Sequence, residues 1–297
     1  MSLKDLLHRE ADSIALILGN GINRYGNQLN LNSWDSMLLA LWQRHMQDAP
    51  LDIPLGISLT EFYDALDLTS QSPGKNLQNE FCELMSGWQP QVQHRSIMAW
   101  AEAHSVPVLT TNFDETLSQT QSFKLQHMDG TSFTDFYPWG SYFSNKTIQK
   151  PANDFAVWHI NGIQRYSRSI RLGLSHYMGS VERARQLIHK GGEASLYANK
   201  ADSVWRGEQT WLQIIFTRDL LFLGLGLDSS EVFLRWLLIE RAKYFKRFPK
   251  RHKKAYYIYA GKELSQGQLI FLKSVGVEII KERNYDLLYG NVWGAQS

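Results

Sequence analysis

At 297 residues, with 43% hydrophobic and 20% charged residues, the chain can bury a sizeable core as one large α/β domain or two smaller ones. A net charge of +2 gives no global pull toward nucleic acid, and the lone cysteine, Cys82, excludes an internal disulfide and any multi-cysteine zinc cluster. No apolar run approaches the roughly 20 residues that a membrane helix requires, and residues 1–13 carry Lys4, Asp5, Arg9, Glu10 and Asp12 instead of a signal-peptide core, so a cytoplasmic protein with no membrane partner is expected.

Ile14–Leu18 is a continuous apolar run, the pattern of a strand covered on both faces. A polar loop over 23–32 follows. Trp34, Met37, Leu38, Leu41, Trp42 and His45 then recur at helical spacing behind Ser33, a capping residue. Thr60 is placed to cap a second helix bearing Phe62, Tyr63 and Leu66. Lys75–Ser86 and Gln93–His104 read as two more, so 33–104 is a helical insert between the first two strands of a parallel sheet. The second strand is Val106–Leu109. Residues 118–153 show no sustained period and read as a long covering loop with one short strand, ordered by Phe133, Phe136, Tyr137, Trp139, Tyr142 and Phe143. Beyond it come a strand at 155–160, helices over Tyr177–Lys190 and Gly207–Thr217, and a strand at Leu220–Gly224. A helix over Asp228–Lys246, a strand at Ala255–Tyr259, a helix over Ser265–Ser274 and a strand at Val277–Ile280 complete a single-domain reading of 1–297.

Four of these strands end abruptly in Gly, Asn or Asp, and in a parallel α/β sheet ligands bind outside the carboxyl ends of the strands. The first end is Gly19-Asn20-Gly21-Ile22-Asn23, either a bland tight turn or a phosphate-binding loop; a third glycine at the usual dinucleotide spacing is missing. The second is Thr110-Thr111-Asn112-Phe113-Asp114, in which Asp114 could merely cap a helix. The third is His159-Ile160-Asn161-Gly162. His159 and Asn161, two apart, share a face, and a histidine suits proton transfer near neutral pH, although a lone strand histidine is more often a satisfied core residue. The fourth is Gly224-Leu225-Gly226-Leu227-Asp228.

In that order these segments resemble sirtuin-like domains, in particular the divergent bacterial branch whose members include NAD-cleaving effectors of phage defence. The resemblance covers about 14–280, and the Asn112 segment is its most specific part. It implies a Rossmann-like parallel sheet flanked by helices, with NAD as substrate and no metal. Asn112 would order the nicotinamide ribose and a water, Asp114 would orient, and a histidine would be the base. Gly19, Asn20, Gly21, Asn23, Thr111, Gly224, Gly226 and Asp228 would hold the rest of the dinucleotide. The chain departs from the family where the base is expected: Asn161 stands directly before Gly162, and His159 lies one pleat back.

Sirtuin deacylases hold a four-cysteine zinc module, which one cysteine cannot build, so NAD hydrolysis is favoured over lysine deacylation. Two readings stay open. One is an NAD glycohydrolase, controlled by homo-oligomerisation or by a separately encoded regulatory or sensor protein. The other is an NAD-binding or nucleotide-binding regulatory subunit with little catalysis of its own. The basic run from Arg241 to Lys254 reads first as a solvated surface and second as a dock for an acidic partner. Cys82 reads as a small apolar helix residue, and Trp236 and Trp293 as candidates for an oligomer interface.

Overall fold

The side chains of Ile14–Leu18, strand β1, are all buried, as its unbroken apolar run requires. The computed structural model describes residues 1–26, 32–70, 76–130, 132–198 and 204–294. The other strands are β2 (Val108–Thr110), β3 (Lys124–His127), β4 (Ser141–Ser144), β5 (Val157–His159), β6 (Asp219–Leu223), β7 (Ala255–Tyr259) and β8 (Glu278–Lys281). They form one sheet in the order β3-β4-β5-β2-β1-β6-β7-β8. From β5 to β8 all neighbours are parallel; β3 and β4 add an antiparallel edge. The chain is therefore an α/β fold with a mixed, mostly parallel sheet flanked by helices.

Helices cover both faces. The α-helices of the described residues are α1 (Leu3–Arg9), α2 (Gly21–Arg24), α3 (Trp34–His45), α4 (Leu59–Thr69), α5 (Leu77–Leu84), α6 (Val92–Ala103), α7 (Thr116–Gln119), α8 (Leu174–His189), α9 (Leu212–Thr217), α10 (Val232–Arg247), α11 (Gln266–Ser274) and α12 (Asp286–Tyr289). Alternation along β1 divides its side chains between two cores. Ala15 and Ile17 pack with α8, α9 and α10, whereas Ile14, Leu16 and Leu18 pack with α1, α6 and α12. A third core joins α3, α4 and α5 to Phe113, Ile170 and Leu172, which seats the helical insert over the carboxyl edge of the sheet. Leu38 and Leu41 are fully buried there, each contributing about 1.5–3 kcal/mol.

Several expectations change. The stretch 118–153 holds the two strands β3 and β4, paired from Lys124↔Ser144 to His127↔Ser141, instead of one short strand. Ser58, not Thr60, caps α4: its Oγ accepts from the Glu61 amide while Glu61 reaches back to the Ser58 amide. The helix placed at Asp228–Lys246 begins at Val232, because the Asp228 carboxylate accepts the Ser230 amide at 2.8 Å and holds a turn there. The helix placed at Gly207–Thr217 is α9 alone, and residues 1–13 contain α1. Trp293 is 2% exposed and packs edge-on against Trp100, so it fills this chain's own core. Arg241, counted in the basic run, is also buried; its guanidinium donates to the carbonyls of Ile215, Arg218, Lys253 and Lys254. The Ser33 cap stands as expected, while residues 27–31 of the 23–32 loop and Lys75 lie outside the described residues. Among the described residues no helix is long and apolar enough to cross a membrane.

Candidate functional site

Neighbouring strands on either side of β1 are reached by connections running in opposite directions, toward β2 and β5 on one side and β6 to β8 on the other. Such a switch point opens a crevice at the carboxyl ends of the strands. A cavity of about 810 Å³ lies there, floored by the turns after β1, β2, β5 and β6 and roofed by the helical insert through Trp34, Met37 and Phe81.

The turns after β1 and β6 are packed against each other. The Gly21 amide donates to the Gly224 carbonyl at 2.9 Å, and a Cβ on Gly21 would lie 2.7 Å from the Gly224 Cα and 2.6 Å from the Tyr289 hydroxyl. Gly224 has φ +69°, and a Cβ there would meet the same hydroxyl at 2.5 Å. These glycines serve close approach of two backbones and a tyrosine. Gly21 and Gly224 still border the cavity; Gly19, where a Cβ would lie 2.5 Å from the Gly224 carbonyl, does not.

Four consecutive carbonyls after β6 are tied back into the protein. Gly224 accepts from Gly21, Leu225 from the Tyr257 hydroxyl at 2.5 Å, Gly226 from Gln268 at 2.7 Å and Leu227 from Arg235 at 2.8 Å. The amides of Leu225, Gly226 and Leu227 make no hydrogen bond among the described residues. A loop with its carbonyls occupied and its amides free is suited to an anion.

Above β2, Asn112 is 6% exposed, and its Nδ2 is buried with no partner among the described residues. Above β5, Asn161 is 3% exposed, and its Oδ1 is likewise unpartnered. Both residues line the cavity. A buried donor or acceptor left unmade costs about 1–3 kcal/mol, and here an unpartnered donor and an unpartnered acceptor lie buried on two residues of one cavity wall, where a polar ligand reaching them would relieve that cost.

Asp114 also lines the cavity but is already engaged. Its Oδ1 accepts the Thr116 amide at 3.1 Å and its Oδ2 accepts Asn23 Nδ2 at 2.9 Å. Asn23 donates as well to Asn20 Oδ1 at 2.9 Å, and its own Oδ1 lies 2.9 Å from His94 Nε2. Because His94 Nδ1 accepts the Gln91 amide at 3.1 Å, the neutral ring carries its proton on Nε2 and donates it to Asn23. Burial pulls His94 down to about 4. Asn23 is thus beneath the cavity wall, holding Asn20 and Asp114 in place, while Asn20, Thr111, Gly226 and Asp228 face the cavity.

His159 is placed differently. It is 1% exposed and does not line the cavity. Its Nδ1–H donates to the Asn112 carbonyl at 2.9 Å, its ring meets Phe143 edge-on, and its Nε2 is buried with no partner among the described residues. Burial lowers its pKa despite the Asn112 bond. The shared face expected of His159 and Asn161 does not bring both to the cavity, since β5 ends at His159 and Asn161 belongs to the turn.

Sequence reasoning passed over His94, Tyr289 and Glu231. Glu231 lines the cavity, its Oε2 is buried without a partner among the described residues, and burial together with Asp228 pushes its pKa up to about 7. Its position three residues after Asp228, at a strand-to-helix turn, was the only signal. Cys82 is buried and burial pushes its thiol up to about 12, far from a reactive thiolate. Among the described residues no group of three or more His, Cys, Asp or Glu could hold a metal ion. Comparison with protein-family models and with curated proteins yields no match to this chain.

Proposed function

We propose that this chain is a sirtuin-like, Rossmann-type protein that binds NAD across the β1 switch point and hydrolyses its nicotinamide–ribose bond. The observation that supports the reading is the pair of buried, unpartnered amide atoms, Asn112 Nδ2 and Asn161 Oδ1, on two residues that line one cavity together with Leu225 and Gly226, whose amides make no hydrogen bond among the described residues. In this reading the amides after β6 take the diphosphate and Asn112 donates to the nicotinamide ribose. Asn161 Oδ1 accepts a hydrogen bond from the attacking water. Asp114, through Asn23 and Thr116, keeps the Asn112 turn rigid.

The chemistry asks little proton transfer of the protein. Nicotinamide leaves the ribose as a neutral base, water adds to C1′ of an oxocarbenium-like ribose, and the surplus proton is lost from that water after it bonds. Holding the ribose and positioning one water is therefore the main contribution. Asn161 can orient the water but cannot take its proton at neutral pH.

A second reading, binding without cleavage, is favoured by one observation: among the described residues no histidine lines the cavity, and His159 is buried with its ring donating to the Asn112 carbonyl. Incubation of the purified chain with NAD separates the two. Release of nicotinamide and ADP-ribose in equal amounts supports hydrolysis; saturable NAD binding without release supports the second reading; absence of both rejects the site.

A further inference from the structure

The net charge of +2 conceals a segregation. Of the 31 Lys and Arg, eight fall within residues 241–254, a stretch with no Asp or Glu; the other 23 face all 29 Asp and Glu of the chain. One short stretch is therefore strongly positive on a molecule that is otherwise acidic. Lys253 and Lys254 immediately precede β7, so the stretch lies at the amino edge of the parallel sheet, opposite the cavity.

The patch stands on a fixed frame. Buried Arg241 donates to the carbonyls of Lys253 and Lys254, and Asp219 Oδ1 accepts the Lys254 amide at 2.7 Å. Arg251 donates to the Tyr244 hydroxyl at 2.9 Å. Its guanidinium lies 4.7 Å from the centre of the half-buried Phe248 ring, and that of Arg247 lies 5.6 Å from the same ring. Lys243 pairs with Glu240 and Lys254 with Glu10. Lys246, Arg247, Lys250 and Lys253 meet no carboxylate among the described residues, and the first three are exposed. Cations in the last turn of a helix favour its carboxyl end, which accounts for Lys246 and Arg247 on α10 but not for Lys250, Arg251 and Lys253 beyond it.

We propose that this patch binds the phosphodiester backbone of double-stranded nucleic acid without regard to sequence. Its composition selects the occupant. A protein partner or an anionic membrane is held by apolar or aromatic side chains at the centre of the contact, and no large apolar side chain of 241–254 is exposed. A single strand is gripped by bases stacking on open aromatic faces, whereas Phe248 is half-buried with two guanidiniums against it. A duplex backbone asks only for cations at the surface. Arg247 and Arg251 present planar forks that match phosphate oxygens, and Lys246, Lys250 and Lys253 add point charges. The acidic remainder of the chain repels a polyanion elsewhere, which fixes the face presented to it. A duplex on the amino edge leaves the cavity uncovered, so this binding does not depend on what the cavity holds.

The test follows the fluorescence anisotropy of a labelled, mixed-sequence DNA duplex of about 20 base pairs titrated with the intact chain. Neutralising about four phosphates predicts that affinity falls roughly 100-fold between about 50 and 200 mM salt. Lys246→Gln, Arg247→Gln and Lys250→Gln together should weaken binding at the lower salt by about tenfold or more and flatten the salt dependence, each lost cation lowering the slope by about one. A control of equal charge change, Lys124→Gln with Lys146→Gln and Lys150→Gln, alters exposed lysines of the β3–β5 region and should stay within about twofold of the native chain. No binding at the lower salt overturns the proposal, as does native affinity in a patch variant of native melting temperature, or an equal loss in the control. Should the triple variant melt early, Lys250→Glu alone, at an exposed turn, decides by the same comparison. Polyglutamate of matched charge and the single strand serve as competing probes. Tighter binding of polyglutamate through the same three residues would assign the patch to an acidic protein, and tighter binding of the single strand would remove the duplex; either result overturns the proposal.

Discussion

Acidification should weaken this fold through His94, and the size of the effect follows from its environment. The ring is neutral, accepts the Gln91 amide and donates to Asn23, and burial lowers its pKa to about 4. In the unfolded chain it titrates near 6.5. Below that value the unfolded state takes up a proton that the folded state refuses, so stability is fully present above about 6.5 and is lost as pH falls toward 4. Between pH 7.5 and 5 this one group removes about 2 kcal/mol, and about 3 kcal/mol once pH falls below 4. His159 and His176, whose pKa values are also lowered by burial, add slope of the same sign. Comparison with His94→Gln isolates the one residue, since glutamine keeps a donor for Asn23 but does not titrate. Urea denaturation of both proteins at pH 7.5, 6.5, 5.5 and 5 is the assay. The native chain should lose about 2 kcal/mol more than the variant across that window. Parallel curves would refute the claim that His94 is buried uncharged.

Two further substitutions probe the site's framework. Gly224→Ala combines a left-handed backbone (φ +69°) with a Cβ 2.5 Å from the Tyr289 hydroxyl, and should cost about 2–4 kcal/mol. Adding Tyr289→Phe, which removes that hydroxyl, should restore part of the loss, and a neutral Gly224→Ala in denaturant titration would contradict the packing of the two turns. His159→Ala should lower stability by about 2–4 kcal/mol because a buried ring and its bond to the Asn112 carbonyl are lost. An unchanged melting temperature with turnover reduced by roughly 10²–10⁴ would instead give His159 the proton-transfer role.

The middle of the parallel core was legible because its strands are apolar runs whose ends carry Gly, Asn or Asp, and those endings do gather at one cavity. Strands β3 and β4 were not legible: Lys-Leu-Gln-His carries one apolar residue, and its pairing with Ser141–Ser144 depends on a partner distant in sequence. The cavity was half legible. Asn112 and Asn161, singled out from their positions at strand ends, do line it, but strand parity misplaced His159, because the alternation rule holds only while the strand continues and β5 stops there. The Gly19-Asn20-Gly21 turn left a phosphate loop and a bland turn equally open, because a glycine before a phosphate and a glycine before another backbone look alike in sequence; both glycines pack close to the 224–225 turn, yet Gly21 borders the cavity and Gly19 does not. The Asn23–His94–Asp114 network joins residues 91 positions apart or less, which no local pattern announces.

The central claim is that Asn112 faces bound NAD and is needed to break its glycosidic bond. The most direct measurement is nicotinamide release from NAD by the native chain and by Asn112→Ala, with the melting temperature of each. A polar side chain that bonds no other side chain contributes little to the fold, so the variant should melt within a few degrees of the native protein and lose at least about 100-fold in turnover. An Asn112→Ala chain that releases nicotinamide at the native rate would contradict the account.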